Sequence, residues 1–214
     1  MPDFITSAFP NLTLAPPLFY KWPTGLRFAL APAQIPLWKD RAKQIIHPHY
    51  FAAVLHRAQT IFESIFREKD ELSIVYQQFS YGRSRISKRN LIFQYISKDS
   101  TVRFRYSRIR RLPGCSRKQY HWNRVRISSL TPSKIDYHGL LKACIYNDFR
   151  RHGPSFRGDC YLFHHRHQLL FHIYDDRGMD IVSPHKDFLR KLYLEYNDWL
   201  LDYDREYMDS LFGG

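Results

Sequence analysis

Two apolar runs separated by four turn-forming residues constrain the fold of this chain more than any other feature of its sequence. The runs cover residues 169–174 and 179–182, and the tetrapeptide between them is Asp-Asp-Arg-Gly. Aspartate side chains accept hydrogen bonds from backbone N–H groups two residues on, and glycine tolerates a positive φ. The pattern therefore predicts two antiparallel strands joined by a tight turn, with a β-bulge at Gly178.

A capped helix is predicted directly after this hairpin. Ser183 is a good N-cap residue, and Pro184 fits the first helical position because its missing N–H would have no partner there. Apolar side chains then recur at helical spacing, which predicts a helix over residues 184–201. Its apolar stripe includes Trp199, which we predict to be a buried anchor.

Three segments of the chain resemble one known family. They are Leu-Phe-Tyr-Lys-Trp-Pro-Thr-Gly-Leu-Arg-Phe at 18–28, Tyr-Asp-Asp-Arg-Gly at 174–178 and Tyr-Asn-Asp-Trp-Leu-Leu-Asp-Tyr-Asp-Arg-Glu at 196–206. In these residues the chain resembles an uncharacterised bacterial family of unknown function that is marked by the YDDRG pentapeptide. The resemblance implies no catalytic residue. We assign a structural role to Asp175, Asp176, Arg177, Gly178 and Trp199.

The rest of the chain predicts a mixture of helices and strands. Apolar stripes at helical spacing predict helices over residues 50–68 and 135–151. Apolar runs and alternating patterns predict strands at residues 26–31, 71–79, 91–96, 101–106, 120–127 and 160–164. A hairpin through residues 97–100 is expected to join two of these strands, and a turn or two of helix is expected near residues 39–45.

These elements together predict the α+β class. We expect an antiparallel sheet with helices packed on one face and a basic opposite face, because arginines alternate with apolar residues along several strands. Residues 1–214 are expected to form a single domain. Its Pro-rich N-terminal arm, at about residues 1–17, is expected to be extended and to dock on the core through Phe4 and Phe9.

The net charge of +13 is concentrated in the middle of the chain. Residues 83–126 contain 14 lysines and arginines against one acidic residue, Asp99, whereas residues 171–214 contain 5 basic and 10 acidic residues. The basic excess is larger than the acidic C-terminal region can neutralise. It therefore predicts an external anionic partner, which is either an acidic protein surface or nucleic acid.

Arginines alternate with aromatic residues in this basic segment. Arginine forks bind phosphates and aromatic rings stack on bases, so the composition suits RNA or single-stranded DNA. A solvated sheet face explains the same residues without a ligand. The binding residues that we predict are Arg83, Arg85, Arg103, Arg105, Arg108, Arg110, Arg111, Trp122, Arg124 and Arg126.

Two groups of residues have the chemistry of a metal site, and a structural role is the favoured interpretation of both. Four histidines, at positions 164, 165, 167 and 172, lie in or next to predicted strands, but alternation turns the first two to opposite faces. The adjacent carboxylates Asp175 and Asp176 can hold Mg²⁺ or act as acid and base. A turn with Arg177 as counter-charge explains them without a ligand. We therefore predict no metal and no cofactor.

The sequence favours a protein without catalytic activity in a reducing compartment. It contains no GxSxG, no Walker or Rossmann glycine loop and no HExxH. Cys115, Cys144 and Cys160 form no CxxC pair and no even set, which is typical of a cytoplasmic protein. No apolar run approaches the ~20 residues of a membrane-spanning helix.

These features favour a small intracellular binding protein that docks an acidic macromolecular partner through its Arg-rich sheet. The family resemblance leaves room for an immunity-type protein that caps a toxin. The alternative is a sequence-tolerant RNA or single-stranded DNA binding protein. A third and more distant hypothesis is a metal-dependent hydrolase at Asp175 and Asp176. The sequence does not distinguish a protein partner from nucleic acid, and it leaves the oligomeric state open.

Overall fold

The structure, a computed structural model, describes residues 4–81, 85–109 and 120–214. The α-helices of these residues are α1 (Phe4–Ala8), α2 (Tyr50–Ile65), α3 (Tyr137–Ile145), α4 (Lys186–Glu195) and α5 (Arg205–Phe212). Their strands are β1 (Gly25–Ala29), β2 (Trp38–Asp40), β3 (Ile45–Ile46), β4 (Leu72–Tyr81), β5 (Arg103–Ile109), β6 (Tyr120–Leu130), β7 (Asp159–His164), β8 (Leu169–Ile173) and β9 (Gly178–Val182).

One large antiparallel sheet organises the molecule. Seven strands lie in the order β1-β9-β8-β7-β4-β6-β5, and every neighbouring pair is antiparallel. Strands β2 and β3 form a separate hairpin. The combination of this sheet with helices confirms the predicted α+β class. The predicted strands near residues 26–31, 71–79, 101–106, 120–127, 160–164 and 169–174 are all present in it.

Helices α2 to α5 bury one face of the sheet. Successive side chains of a strand point to opposite faces, so alternate positions such as Ile74, Phe171 and Ile181 supply this core. The apolar stripe predicted for residues 50–68 is the buried side of α2, which ends at Ile65. No helix of the described residues is long and apolar enough to cross a membrane.

An N-terminal segment, residues 4–22, covers part of the opposite face. Phe4 and Phe9 pack against Phe163 of β7, with ring centroids 5.0 and 6.3 Å apart. The arm is therefore docked as expected, although it begins with the short helix α1 and not with extended chain. Its apolar cluster extends over β4, β7, β8 and β9, so this half of the face is apolar. The arginines predicted for the face lie at the β6–β5 end.

The helix predicted for residues 184–201 is shorter than expected. Helix α4 ends at Glu195 and a 3-10 turn, Asn197–Trp199, follows it. The chain leaves the helix because it pairs with the outer edge of β1. Leu200 forms a β-bridge with Phe28, and the Leu201 N–H donates to the Arg27 carbonyl oxygen at 2.8 Å.

Trp199 is half-buried and packs against the core, so it is less buried than the anchor that the sequence predicted. The 3-10 turn takes its indole off the apolar stripe of α4 and onto the rim of the core. There the ring stacks on Tyr196 with centroids 5.2 Å apart, and the Arg57 guanidinium lies 5.1 Å from its centroid. This position combines partial burial with a cation–π contact.

Two short segments differ from their predicted structure. Residues 91–96 were expected to be a strand, but Leu91–Tyr95 is a 3-10 turn, begun by the Asn90 side chain, which accepts from the Ile92 N–H at 3.1 Å. The predicted hairpin through residues 97–100 is therefore absent, and β5 pairs with β6. The helical turn expected near residues 39–45 is the β2–β3 hairpin, in which Gln44 has a positive φ of 53°.

The third predicted helix is divided. Asp136 caps α3 by accepting from the Gly139 N–H at 2.9 Å, and the helix ends at Ile145. A separate 3-10 turn, Tyr146–Asp148, occupies part of the remaining predicted range. The turn holds the Tyr146 ring in a stack on Phe51 of α2, with centroids 4.1 Å apart. The chain therefore packs against α2 at the point where α3 ends.

Candidate functional site

Strand β5 forms one edge of the sheet and carries three exposed arginines. It pairs with β6 on one side, and no strand of the described residues pairs with its other side. Arg103, Arg105 and Arg108 are all exposed, and neither β5 nor β6 contains an acidic residue. The strand therefore presents positive charge next to backbone groups that a partner strand could pair with.

Four arginines share the sheet face that points away from α2. Arg105 lies opposite Arg126 in the β5–β6 register, and Arg103 and Arg124 occupy the same face two residues away. We call Arg103, Arg105, Arg124 and Arg126 the basic edge. Arg124 and Arg126 are half-buried, and the Arg124 Nη2 donates to Gln77 Oε1 at 2.8 Å. Arg103 and Arg105 thus reach solvent, whereas Arg124 also braces β4.

Exposed aromatic rings accompany these arginines. Phe79 is 44% exposed and contacts Trp122 edge-on, with ring centroids 5.8 Å apart, on the same face as the basic edge. Phe104 and Tyr106 of β5 are 42% and 37% exposed and project from the other face. Exposed rings beside guanidinium groups offer a stacking surface to bases or to apolar side chains.

The structure divides the predicted set of binding residues. Arg83, Arg110 and Arg111 lie outside the described residues. Arg108 belongs to the helix-bearing face of the sheet, opposite the basic edge. Arg85 also lies on that side, where it lines a cavity with Gln78 of β4. The structure therefore brings together four of the predicted arginines and Trp122, but not the whole segment.

The hairpin at residues 175–178 is held by its own side chains. Asp175 accepts from the Arg177 N–H at 2.8 Å and from the Arg177 Nε at 2.9 Å, and Arg177 Nη2 also contacts it. Gly178 does not have the predicted positive φ, and the β8–β9 register contains no bulge. Glycine is needed there because a Cβ would collide with the Phe28 carbonyl oxygen and the Tyr174 hydroxyl group.

Asp176 ties this hairpin to helix α2. Its buried carboxylate accepts from the Tyr50 hydroxyl at 2.6 Å. Burial raises the pKa of the carboxyl, and the hydrogen bond from Tyr50 opposes that shift. Asp175 and Asp176 therefore have different protein donors. This agrees with a structural role for the turn.

We expect the hairpin to bind no divalent ion tightly. Both carboxylates are already engaged by protein donors, and no group of three or more His, Cys, Asp or Glu among the described residues could hold a metal. Calorimetric titration with Mg²⁺, Mn²⁺ and Zn²⁺ is the measurement. Micromolar binding that disappears in Asp176→Asn would revive the hydrolase hypothesis.

The four histidines of the predicted cluster do not come together at one site within the described residues. His164 is buried beside Asp70, with Nε2 3.2 Å from Oδ2, whereas the His165 Nε2 lies 2.8 Å from Ser73 Oγ on the opposite face. His167 stacks on Phe188, and His172 stacks on Tyr161. Strand alternation thus separates His164 from His165, as the sequence predicted, whereas the His164 and His167 rings are in contact, with centroids 4.6 Å apart.

The two cysteines in the described residues are buried. Cys144 and Cys160 both lie in the main core, and Cys115 lies outside the described residues. A hydrogen bond from the Cys160 thiol to Cys144, together with burial, raises the pKa of the Cys160 thiol. A buried neutral thiol is a poor nucleophile, because the thiolate is the reactive form.

A row of polar side chains, buried except for the partly exposed Arg27, crosses the sheet beneath the N-terminal segment. In register from β1 to β7, it consists of Arg27, Asp180, His172 and Tyr161. The Arg27 Nε lies 3.2 Å from Asp180 Oδ1, and its Nη1 donates to Asp204 Oδ2 at 2.9 Å. The Arg27 guanidinium therefore links a buried carboxylate to the C-terminal region of the chain.

Burial moves the pKa values of this row in opposite directions. Burial raises the pKa of Asp180 to about 6, although the charge of Arg27 opposes the shift. Burial also lowers the pKa of His172 to about 3, with a smaller contribution from Lys21. At neutral pH the row therefore holds an ion pair next to a neutral imidazole.

Sequence reasoning did not find this row. Asp180 was the available signal, because it is a lone carboxylate within an apolar strand. A charged side chain is seldom fully buried without a partner. Its partner Arg27 is distant in sequence, and the pair follows only from the β1–β9 register.

Comparisons with known proteins give a family without an assigned activity. The sequence model of the family described as Domain of unknown function (DUF3885) matches residues 1–204, which is wider than the segments that carried the resemblance. An uncharacterised protein of Bacillus subtilis (strain 168), YnaE, is 24% identical over 209 residues, covering 94% of this chain and 96% of that protein. No solved structure matches the chain significantly.

Proposed function

This chain belongs to the DUF3885 family of unknown function, and we propose that it is a non-enzymatic binding protein that docks an acidic macromolecule through the basic edge. The observation that carries the proposal is that exposed arginines lie on a strand at the edge of the sheet. Arg103 and Arg105 extend from β5, whose outer side pairs with no strand of the described residues.

Charge complementarity supports an acidic partner. The basic edge lies on two strands that contain no carboxylate, so its positive potential is not cancelled along those strands. A positive patch attracts a negative one over roughly a Debye length, about 8–10 Å at physiological salt. The partner surface that fits best carries several carboxylates, and an extended acidic segment could also pair with the β5 backbone. An immunity-type protein that caps a toxin is one form that such a binder takes.

A specific observation also favours a second candidate, sequence-tolerant binding of RNA or single-stranded DNA. Phe79 and Trp122 share the face of the basic edge, and Phe79 is 44% exposed. An exposed ring beside arginines can stack on a base while the guanidinium groups contact phosphates. An acidic protein surface would be bound by the arginines alone and does not require the exposed rings. Nucleic acid, which can use both, is therefore the competing ligand.

Charge reversal at Arg103 and Arg105 tests both candidates. These side chains are exposed, so Arg103→Glu with Arg105→Glu changes the surface without disturbing the half-buried Arg124. Binding to the true ligand at physiological salt should weaken at least about tenfold. The ligands to compare are an RNA oligonucleotide, a single-stranded DNA oligonucleotide and the purified product of the neighbouring gene.

The matched control reverses Arg150 and Arg151, which are exposed but lie beyond the end of α3. It changes the net charge equally and should leave binding intact. For nucleic acid, a footprint of about five phosphates gives a slope of roughly −3 to −4 on a log–log plot of affinity against salt. For an acidic protein, binding should be specific to that partner, and salt should act mainly on the association rate. Equal binding by both double variants would refute the role of the basic edge.

A further inference from the structure

A polar cavity on the helix-bearing face of the sheet is lined by three arginines. Its volume is about 290 Å³, which is at the small end for ligand sites. Arg85 and Arg89 come from the segment before the 3-10 turn 91–95, and Arg157 comes from the segment before β7. The floor includes Gln78 of β4, which lies opposite Asn123 of β6 in the strand register.

Each arginine is next to a residue that is fixed in place. Ile86, beside Arg85, is buried in the main core, and so is Phe156, beside Arg157. Asn90, beside Arg89, donates to Gln78 Oε1 at 3.1 Å. The backbone around the cavity is therefore preorganised, which lowers the entropic cost of binding a ligand there.

A close approach of two chain segments sets the position of Arg157. The next residue is Gly158, where a Cβ would collide with the Gln77 carbonyl oxygen of β4. The absence of a side chain lets this segment lie against the strand, and the Phe156 ring packs on Tyr76 with centroids 5.4 Å apart. Arg157 is thus held over the same end of β4 as Arg85.

The cavity gathers positive charge without a carboxylate to balance it. No Asp or Glu lines it, and within the described residues no carboxylate lies at ion-pair distance from Arg85, Arg89 or Arg157. The nearest carboxylate along the chain, Asp159, is on the other face of the sheet, where it accepts from Gln77 Nε2 at 3.2 Å. Converging like charges repel each other, so this arrangement favours a bound anion.

We propose that this cavity is a binding site for a phosphate monoester group, held by Arg85, Arg89 and Arg157. A guanidinium group can donate two parallel hydrogen bonds to a pair of phosphate oxygens. Three guanidinium groups also match the charge of a phosphate dianion better than that of a singly charged carboxylate ligand. The hydroxyl group of Ser87, together with the amide groups of Gln78 and Asn123, suits the remaining oxygens. The site does not depend on the basic edge, which occupies the opposite face of the sheet.

Thermal unfolding with inorganic phosphate tests the proposal, with chloride at matched ionic strength as the reference. At ten times the dissociation constant, phosphate should raise the Tm of the wild type by about 3–5 °C. The variant with Arg85→Gln, Arg89→Gln and Arg157→Gln should bind phosphate at least about tenfold more weakly. The matched control, with Arg41→Gln, Arg151→Gln and Arg166→Gln at exposed positions outside both the cavity and the basic edge, loses the same charge and should keep the wild-type response.

Titration with glycerol phosphate and with a nucleoside monophosphate distinguishes the possible sources of the group. The ester that binds more tightly than inorganic phosphate identifies the rest of the ligand. If the triple variant does not fold, the single change Arg157→Gln at an exposed position should still weaken phosphate binding about tenfold. The proposal is overturned if the wild type gives no phosphate-specific shift, or if the cavity variant responds like the control.

Discussion

Replacement of Arg27 by methionine is expected to lower the free energy of unfolding by about 3–5 kcal/mol at pH 7. The Asp180 side chain is fully buried, and the Arg27 Nε, 3.2 Å away, is its counter-charge. Methionine keeps the apolar stem but leaves this carboxylate uncompensated in the interior. The change also removes the bond from Arg27 to Asp204. Urea unfolding followed by circular dichroism measures the loss.

Arg57→Met is the matched control for this prediction. The Arg57 Nη1 donates to the Ala29 carbonyl oxygen at 2.9 Å, and its guanidinium lies over Trp199, but it has no carboxylate partner among the described residues. Its loss should therefore cost about 1–2 kcal/mol. A cost as large as that of Arg27→Met would show that the loss of a hydrogen-bonded guanidinium, and not the uncompensated charge of Asp180, accounts for the effect at Arg27.

The pH dependence of the stability of the Arg27→Met variant distinguishes the effect of the Asp180 charge from the effect of the other contacts that Arg27 makes. The pKa of Asp180 is already raised to about 6, and removal of Arg27 raises it further because an opposing charge is lost. A carboxyl with a raised folded-state pKa favours folding at low pH, and this contribution is lost as pH rises through that pKa. The deficit of the variant should therefore be largest above pH 7 and should shrink towards pH 5. A deficit independent of pH would contradict the proposed cause.

Local patterns in the sequence predicted the elements whose structure is set by neighbouring residues. The stripe of α2 is long and ends in a charged exit, so the helix appears within three residues of its predicted end. The predicted length of helix α4 was too great because the chain pairs with β1 at Leu200. Residues 91–96 are a short apolar run, and such a run suits a strand or a buried turn equally.

Long-range register explains what the sequence could not predict about the site. Alternation correctly placed Arg103 and Arg105 on one side of β5, because that pattern is local. The covering of the other half of that sheet face by residues 4–22 has no periodic signal. The row that joins Arg27, Asp180 and His172 requires the order β1-β9-β8, which no single segment specifies.

Replacement of His172 by phenylalanine is expected to remove about 3 kcal/mol of acid destabilisation between pH 6.5 and pH 4. The imidazole is fully buried, and neither ring nitrogen has a hydrogen-bond partner among the described residues. Its pKa is lowered to about 3, so between that value and about 6.5 the unfolded chain holds a proton that the folded protein does not. Stability that depends on neutral His172 is therefore lost as pH falls through this window. Phenylalanine has no proton to gain, and it can keep the stack on Tyr161, where the centroids are 4.3 Å apart.

The comparison with Asp180 makes this prediction specific. Asp180 lies opposite His172 in the β8–β9 register, and its pKa of about 6 has the opposite effect, since protonation between pH 6 and pH 4 favours the folded state. The difference in unfolding free energy between His172→Phe and wild type should grow in favour of the variant as pH falls, whereas that of Asp180→Asn should move the other way. Other titrating groups cancel in each difference. His172→Leu provides the same test if phenylalanine is too large for the site. Parallel curves for His172→Phe and wild type would mean that the imidazole is protonated in the folded protein at these pH values.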